Sequence, residues 1–245
     1  MPSRFTPGWH FHRRTHMNLS NRLLTCCSYV NPGDRVADIG CDHGYLGIHL
    51  LLTGIARSVI ASDIHSEPLE CARRNAGKYG VRSKMSFYLS DGLLGLPRDF
   101  DCIICAGMGA DTIISILERA PWLKTGNYRL ILQCQSKRPQ LRSYLSRSGY
   151  TISRETLAKD GRFLYPVMEV LCVPSQPLTP EECFLSPALM KSGSPLLPEF
   201  RERVLSGLDK TVAGLSSAGG EKYKAYLALR DRVAALPVPE KEGNP

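Results

Sequence analysis

Short apolar runs, several of them β-branched, recur through the middle of the chain and alternate with stretches whose apolar residues repeat at helical spacing. The runs Arg35–Ile39, Ser58–Ser62, Met85–Leu89, Asp101–Cys105 and Tyr128–Gln133 predict strands, and Tyr45–Leu52, Glu67–Tyr79, Ala110–Glu118 and Pro139–Ser148 predict helices between them. Strands separated by helices imply right-handed crossovers, and hence a parallel sheet with helices on both faces. Thr151–Ala158 and Leu164–Val173 follow each other with only a short link containing Lys159-Asp-Gly-Arg162, which predicts a hairpin and an antiparallel strand closing the sheet. The expected fold class is therefore α/β and Rossmann-like.

The flanks read differently. Residues 1–17 begin with an acid-free stretch that has no apolar period and predicts no fold of its own; Met17 stands as an alternative start. Pro2, Pro7 and three histidines argue against a transit peptide there. Asn18–Val30 then spaces Leu19, Leu23, Cys26, Cys27 and Val30 along one helical face, stopped by Asn31-Pro-Gly-Asp34. Val173–Pro180 reads as a linker, and Thr179-Pro-Glu-Glu182 offers a capping box. Pro198–Leu215 and Glu221–Leu236 carry apolar stripes that predict a small helical hairpin, packed on itself or on the main body. The expected organisation is an extension over 1–17, a sheet domain over 18–174 and a helical appendage over 175–245.

Composition narrows the class. No stretch has the roughly 18 consecutive apolar residues a membrane span needs, so a cytoplasmic protein away from membranes is expected. Nine cysteines without a repeating spacing look like reduced core thiols, and Cys102-x-x-Cys105 lies inside a strand-like run with no second zinc-like pair, so no metal is expected. The formal charge of +8 suits a polyanionic partner. From Ser175 onward nine basic residues balance nine acidic ones, so the excess lies in the preceding part of the chain. A monomer is compatible with these features, and the oligomeric state stays open.

Candidate chemistry gathers at strand ends. In Val36-Ala-Asp-Ile-Gly-Cys-Asp-His-Gly-Tyr-Leu46 an apolar strand ends in an acid and enters a Gly-bearing turn before a helix. Glycine there lets the backbone turn sharply and a ligand approach closely. The next strand ends in Asp63, a carboxylate placed to accept hydrogen bonds from both ribose hydroxyls of an adenosine. The third ends in Asp91, suited to an adenine amino group. Asp42 would repel a dinucleotide's pyrophosphate, whereas an acidic crevice suits a sulfonium cofactor.

Leu19-Ser-Asn-Arg-Leu23, Ala37-Asp-Ile-Gly-Cys-Asp-His-Gly-Tyr-Leu46, Asp91-Gly-Leu93, Ile104-Cys-Ala-Gly-Met-Gly109 and Arg129-Leu-Ile-Leu-Gln133 together resemble the TrmK-type tRNA (adenine-22-N1)-methyltransferases of bacteria, from about Leu19 to Val170. Gly44, Gly47, Ala110 and Cys134-Gln135 depart from the family's usual residues. The resemblance implies a class I methyltransferase sheet with a C-terminal helical hairpin, S-adenosyl-L-methionine as cofactor and tRNA as partner. It further implies that Asp38, Gly40 and Gly44 form the methionine-side loop, Asp63 with Ile64 the ribose site and Asp91 with Gly92 the adenine site. Ala106, Gly107 and Met108 would then line the wall near the methyl group.

Methylation at N1 turns a neutral adenine into a cation, so a carboxylate beside the base favours the transition state over the ground state. Asp42 is the candidate for that role, and Tyr45 for stacking on the base or orienting it. His43 reads as a structural hydrogen-bonder. The fourth strand does not lead into the Asn/Asp-Pro-Pro-aromatic signature of exocyclic-amine methylation, which favours a ring nitrogen. Arg73, Arg74, Lys78, Lys137, Arg138, Arg142 and Arg147, with Arg13, Arg14 and Arg22, are the candidate RNA contacts. Methylation of another RNA base or of a small molecule, a catalytically idle cofactor- or RNA-binding module, and a nicotinamide-binding protein are the alternatives.

Overall fold

The computed structural model describes residues 17–217 and 219–237. The N-terminal extension with Arg13 and Arg14, and the chain after Pro237, lie outside the described residues. Helix α1 (Asn21–Cys27) leads into β1 (Arg35–Ile39), α2 (Tyr45–Leu52), β2 (Ser58–Asp63), α3 (Ser66–Lys78) and β3 (Met85–Leu89). The chain continues through β4 (Cys102–Met108), α4 (Ala110–Glu118), β5 (Arg129–Cys134) and α5 (Arg138–Arg147) to the hairpin of β6 (Thr151–Asp160) and β7 (Phe163–Leu171). Helices α6 (Pro187–Met190), α7 (Leu197–Ser216) and α8 (Gly220–Ala235) follow.

The seven strands lie in the order β3-β2-β1-β4-β5-β7-β6. Strands β1 to β5 pair in parallel, and β7 runs antiparallel to both β5 and β6. Central strands covered on both faces must be apolar throughout, and in β4 the residues Cys102 to Cys105 are all buried. Alternate side chains point to opposite faces. Cys102 and Ile104 therefore join the core under α1, α2 and α3, while Ile103 and Cys105 join the core under α4 and α5. The two cysteines of the C-x-x-C lie on opposite sides of the sheet and cannot share a ligand.

The C-terminal helices pack on the sheet's hairpin end. Leu157 of β6 and Leu164 of β7 share a core cluster with Leu189, Leu197, Phe200, Leu208 and Val233. The linker-like segment is anchored too, since the Leu178 N–H donates to Ser146 Oγ at 3.1 Å. Thr179 and Glu182 make both capping-box bonds, Thr179 N–H to Glu182 Oε2 at 2.8 Å and Glu182 N–H to Thr179 Oγ1 at 3.4 Å. The segment nevertheless stays a turn, and the next helix starts behind Ser186, whose hydroxyl accepts from Leu189 N–H. Among the described residues no helix is long and apolar enough to cross a membrane.

One expectation fails outright. Arg142, read as an RNA contact, is 1% exposed, and its guanidinium is bound to Glu155 and to the Cys183 and Phe184 carbonyls. Helical spacing placed it on α5 without revealing that β6 and the segment before α6 cover that face. Arg138 is likewise half-buried, donating to the Leu164 carbonyl and lying over the Phe200 ring.

Candidate active site

Three strand ends are laced together by backbone geometry. After β1 the chain turns through Gly40 (φ 68°), Asp42 (φ 50°) and Gly44 (φ 73°) into α2. The Cys41 N–H donates to the Ser62 carbonyl of β2 at 2.9 Å, and the Asp42 N–H donates to Asp63 Oδ2 at 3.2 Å. The other Asp63 oxygen accepts from His65 N–H at 3.0 Å, and the Asp63 carbonyl accepts from Ser90 N–H at 2.9 Å. Asp63 is thus a buried brace for the β1–α2 turn as well as a candidate ligand. Aspartate is one of the few side chains that tolerates the left-handed conformation Asp42 adopts.

Strand β4 reaches the same edge through a bulge. Its register with β5 shifts between Ala106 and Met108, with Gly107 (φ 83°) as the extra residue. The Gly107 N–H, freed from the ladder, donates to Gln133 Oε1 at 3.0 Å. The same oxygen accepts from Arg22 Nη1 at 3.0 Å. The apolar run predicted a strand end at Cys105; pairing in fact resumes past the bulge, with Met108 opposite Cys134. At Gly40 a Cβ would stand 2.5 Å from Met108 Cε, so only a glycine lets the two loops meet with Met108 as it lies.

Between these loops lies a cleft of about 380 Å³. It sits between β1 and β4, where the strand order reverses, the place at which open α/β sheets bind ligands. Asp38, Gly40, Asp42 and Tyr45 line one side, and Ala106, Gly107 and Met108 the other, with Arg22 and Gln135 completing the wall. Ile64, Asp63, Asp91, Gly44 and Gly92 are not part of this lining. Gly44 packs at the turn, where a Cβ would meet Ala72 Cβ at 2.8 Å. Ile64 follows Asp63 and is 56% exposed.

The electrostatics differ from acid to acid. Asp38 is 4% exposed and its Oδ2 has no hydrogen-bond partner. Burial pushes its carboxyl up to about 7; the Gly47 N–H opposes the rise and the nearby Asp63 charge adds to it. Asp42, by contrast, is exposed at the cleft mouth, with His43 Nε2 at 3.6 Å. The other His43 ring nitrogen lies 3.1 Å from Cys71 Sγ. Tyr45 is 39% exposed, its ring 6.0 Å from that of His43. Asp91 makes a two-pronged pair with Arg119, at 2.5 and 2.9 Å, which holds its carboxyl below the usual range. Beside it Gly92 (φ 66°) packs against Ile116.

Sequence reading missed Arg119, Gln133 and Gln135 as members of this edge, and it assigned Arg22 to RNA. Gln133 carried a signal: an amide at the end of an otherwise apolar central strand, fully buried in the fold. Arg119 gave none, because its partner is 28 residues away. Of the other basic candidates, Arg73 pairs with Glu70 and Lys137 with Asp111, while Arg74, Lys78 and Arg147 are exposed. No group of three or more metal-ligating side chains is found among the described residues.

Residues 19–168 match the family model described as a methyltransferase domain. The tRNA (adenine(22)-N(1))-methyltransferase of Bacillus subtilis (strain 168) is 35% identical over 153 residues, 62% of this chain and 64% of that enzyme. A Mycoplasma genitalium protein, assigned provisionally to tRNA methylation, is 35% identical over 182 residues, 70% of this chain and 79% of that one. The crystal structure of the B. subtilis M1A22 tRNA methyltransferase TrmK superposes with a TM-score of 0.77 at 29% identity, covering 89% of this chain and 96% of that one. A Streptococcus pneumoniae structure in complex with S-adenosyl-L-methionine superposes at 0.74 with 27% identity, over 89% and 98%. The chain belongs to the methyltransferase-domain family and, within it, to the TrmK-type class I S-adenosylmethionine-dependent methyltransferases.

Proposed function

We propose that this protein methylates N1 of an adenine in tRNA, adenine 22, with S-adenosyl-L-methionine as donor. The observation that carries the reading is one cleft at the sheet's switch point lined by a buried Asp38 with one unpartnered oxygen and by an exposed Asp42. The orphaned Asp38 oxygen and the glycine approach at Gly40 fit a ligand that brings an ammonium group close to the backbone.

In this reading Asp38, Gly40 and Gly44 hold the methionyl end, Asp63 with Ile64 the ribose, and Asp91 with Gly92 the adenine ring. A carboxylate has about four acceptor positions, so Asp91 keeps its pair with Arg119 and still accepts an amino proton. Ala106, Gly107 and Met108 wall the transfer point. When bound, the cofactor supplies an electrophilic methyl group on a positively charged sulfur.

Asp42 does the work on the substrate side. Its carboxylate accepts a hydrogen bond from the exocyclic amino group and stabilises the positive charge that develops on the ring at N1. Tyr45 presents a half-exposed ring beside it for the base to stack on. The adenine must leave its helical stack to enter the cleft. Exposed Arg74, Lys78 and Arg147 supply phosphate contacts, and the helical appendage, described over residues 175–217 and 219–237, helps the catalytic unit 18–174 grip the tRNA.

Incubation with labelled S-adenosylmethionine and unmodified bulk tRNA should yield N1-methyladenosine by mass spectrometry, with no turnover when RNA is omitted. Asp42→Asn should lower kcat roughly 100-fold or more, in the range of a lost electrostatic or acid–base contribution, while cofactor affinity changes less than about twofold. Label in a different nucleoside defeats the assignment. Turnover of a small molecule without RNA favours the rival substrate class.

A further inference from the structure

Among the charged groups that line the cleft, Asp38 and Arg22 carry opposite signs, and neither has a countercharge among the described residues. Asp38 is buried with an orphaned oxygen. Arg22 makes no ion pair through its guanidinium among the described residues; Nη1 is held by the neutral Gln133 amide, and Nε and Nη2 have no acceptor there. The two do not pair with each other. An arginine kept beside a carboxylate without meeting it leaves room for a ligand that carries both signs.

Arg22 is also held in place from two directions. The backbone N–H groups of Asn21 and Arg22 both donate to the Asp160 carboxylate at the tip of the β6–β7 hairpin, at 2.7 and 3.2 Å, and Asn21 Nδ2 donates to the Lys159 carbonyl at 2.8 Å. At the other end Gln133 Oε1 joins Arg22 Nη1 to the bulge N–H of Gly107. Gln133 Nε2 is buried and unpartnered, so this amide is kept in the core at a cost that hydrogen bonding within the protein does not fully repay. Such a cost is understandable where a charged fork must be aimed before the ligand arrives.

We propose that Arg22 is a cofactor-binding residue whose guanidinium takes the α-carboxylate of the methionyl end while Asp38 takes the α-ammonium, with Gln133 as the positioning residue that aims Arg22. The inference rests on the cofactor reading above and assigns the N-terminal helix α1 to the cofactor site instead of the RNA surface. It also gives the β4 bulge a second purpose, because the bulge N–H and the arginine share one acceptor.

Calorimetry with three ligands tests it: S-adenosylmethionine, its decarboxylated analogue and 5′-methylthioadenosine, which lacks the amino-acid end. The wild-type protein should prefer S-adenosylmethionine to the decarboxylated analogue by about 30-fold, the size of a charge-assisted hydrogen-bond pair. Arg22→Met should erase that preference and leave 5′-methylthioadenosine affinity within about twofold of wild type. Arg22→Lys, which keeps the charge without the fork, and Gln133→Met should fall between, a graded ratio that a merely structural lesion would not produce. An unchanged preference in Arg22→Met overturns the proposal alone, and accompanied by weakened tRNA binding it returns Arg22 to the RNA surface. Failure of the wild-type protein to bind any of the three ligands removes the cofactor reading itself.

Discussion

Asp38→Asn should make the free protein more stable at pH 8 while removing most of its hold on S-adenosylmethionine. Asp38 ionises near 3.8 in an unfolded chain, but burial in the fold pushes it up to about 7. Between those values the unfolded chain releases a proton that the folded chain keeps, so stability falls as pH rises through the window and the full penalty is present above about 7. A shift of that size corresponds to a cost on the order of 4 kcal/mol for a group this buried. An amide never ionises and escapes the cost, so the melting temperature of Asp38→Asn should exceed that of wild type by several degrees at pH 8. At pH 4, where the carboxyl is protonated in the fold, the difference should nearly vanish. Cofactor affinity should drop about 100-fold, because the ammonium end loses a charged partner. In wild type that affinity should strengthen from pH 6 to pH 8 as the carboxylate forms. A variant less stable than wild type at pH 8, or one that binds the cofactor normally, would show that Asp38 is an ordinary core residue.

That trade of stability for binding explains which parts of the molecule were legible from sequence. Strands and helices were read closely where a face is buried by local periodicity: β1, β3, α2 and α4 have the bounds the apolar pattern predicts. The acids at strand ends were legible because a carboxylate closing an apolar run has no packing reason to be there. Two kinds of feature escaped. Bulges and side-chain bridges depend on what a neighbouring strand presents, so the Gly107 bulge and the Gln133 link to Arg22 needed the sheet order. Burial of a charged residue depends on what covers it from outside its own element. Arg142 shows this most clearly, since its cover comes from β6 and from Cys183 and Phe184, far along the chain.

Breaking the Arg142–Glu155 pair should be the most damaging single change outside the cleft. Both side chains are almost fully buried, with Arg142 Nη2 2.5 Å from Glu155 Oε1 and Nε 3.3 Å from Oε2. Arg142 Nη1 also donates to the carbonyls of Cys183 and Phe184, at 2.9 and 3.2 Å, and the Ser186 hydroxyl donates to Glu155 Oε2 at 2.5 Å. One ion pair thereby ties α5 and β6 of the sheet domain to the segment that starts α6. Removing one partner leaves the other charge buried, which typically costs about 3–5 kcal/mol. Arg142→Met and Glu155→Met should therefore each lower the melting temperature by roughly 10 °C. Loss of Glu155 also leaves Arg142 near Arg138, whose own pKa is already depressed by burial and then by the Arg142 charge. The double variant Arg142→Met with Glu155→Met should recover much of the loss, because an apolar pair of similar volume needs no countercharge. Limited proteolysis should cut the Arg142→Met chain first near residues 174–186, while cofactor affinity measured well below the melting point stays near wild type. Equal damage in the double variant would mean that the hydrogen bonds to the Cys183 and Phe184 carbonyls, and not the charge pair, hold the C-terminal helices to the sheet.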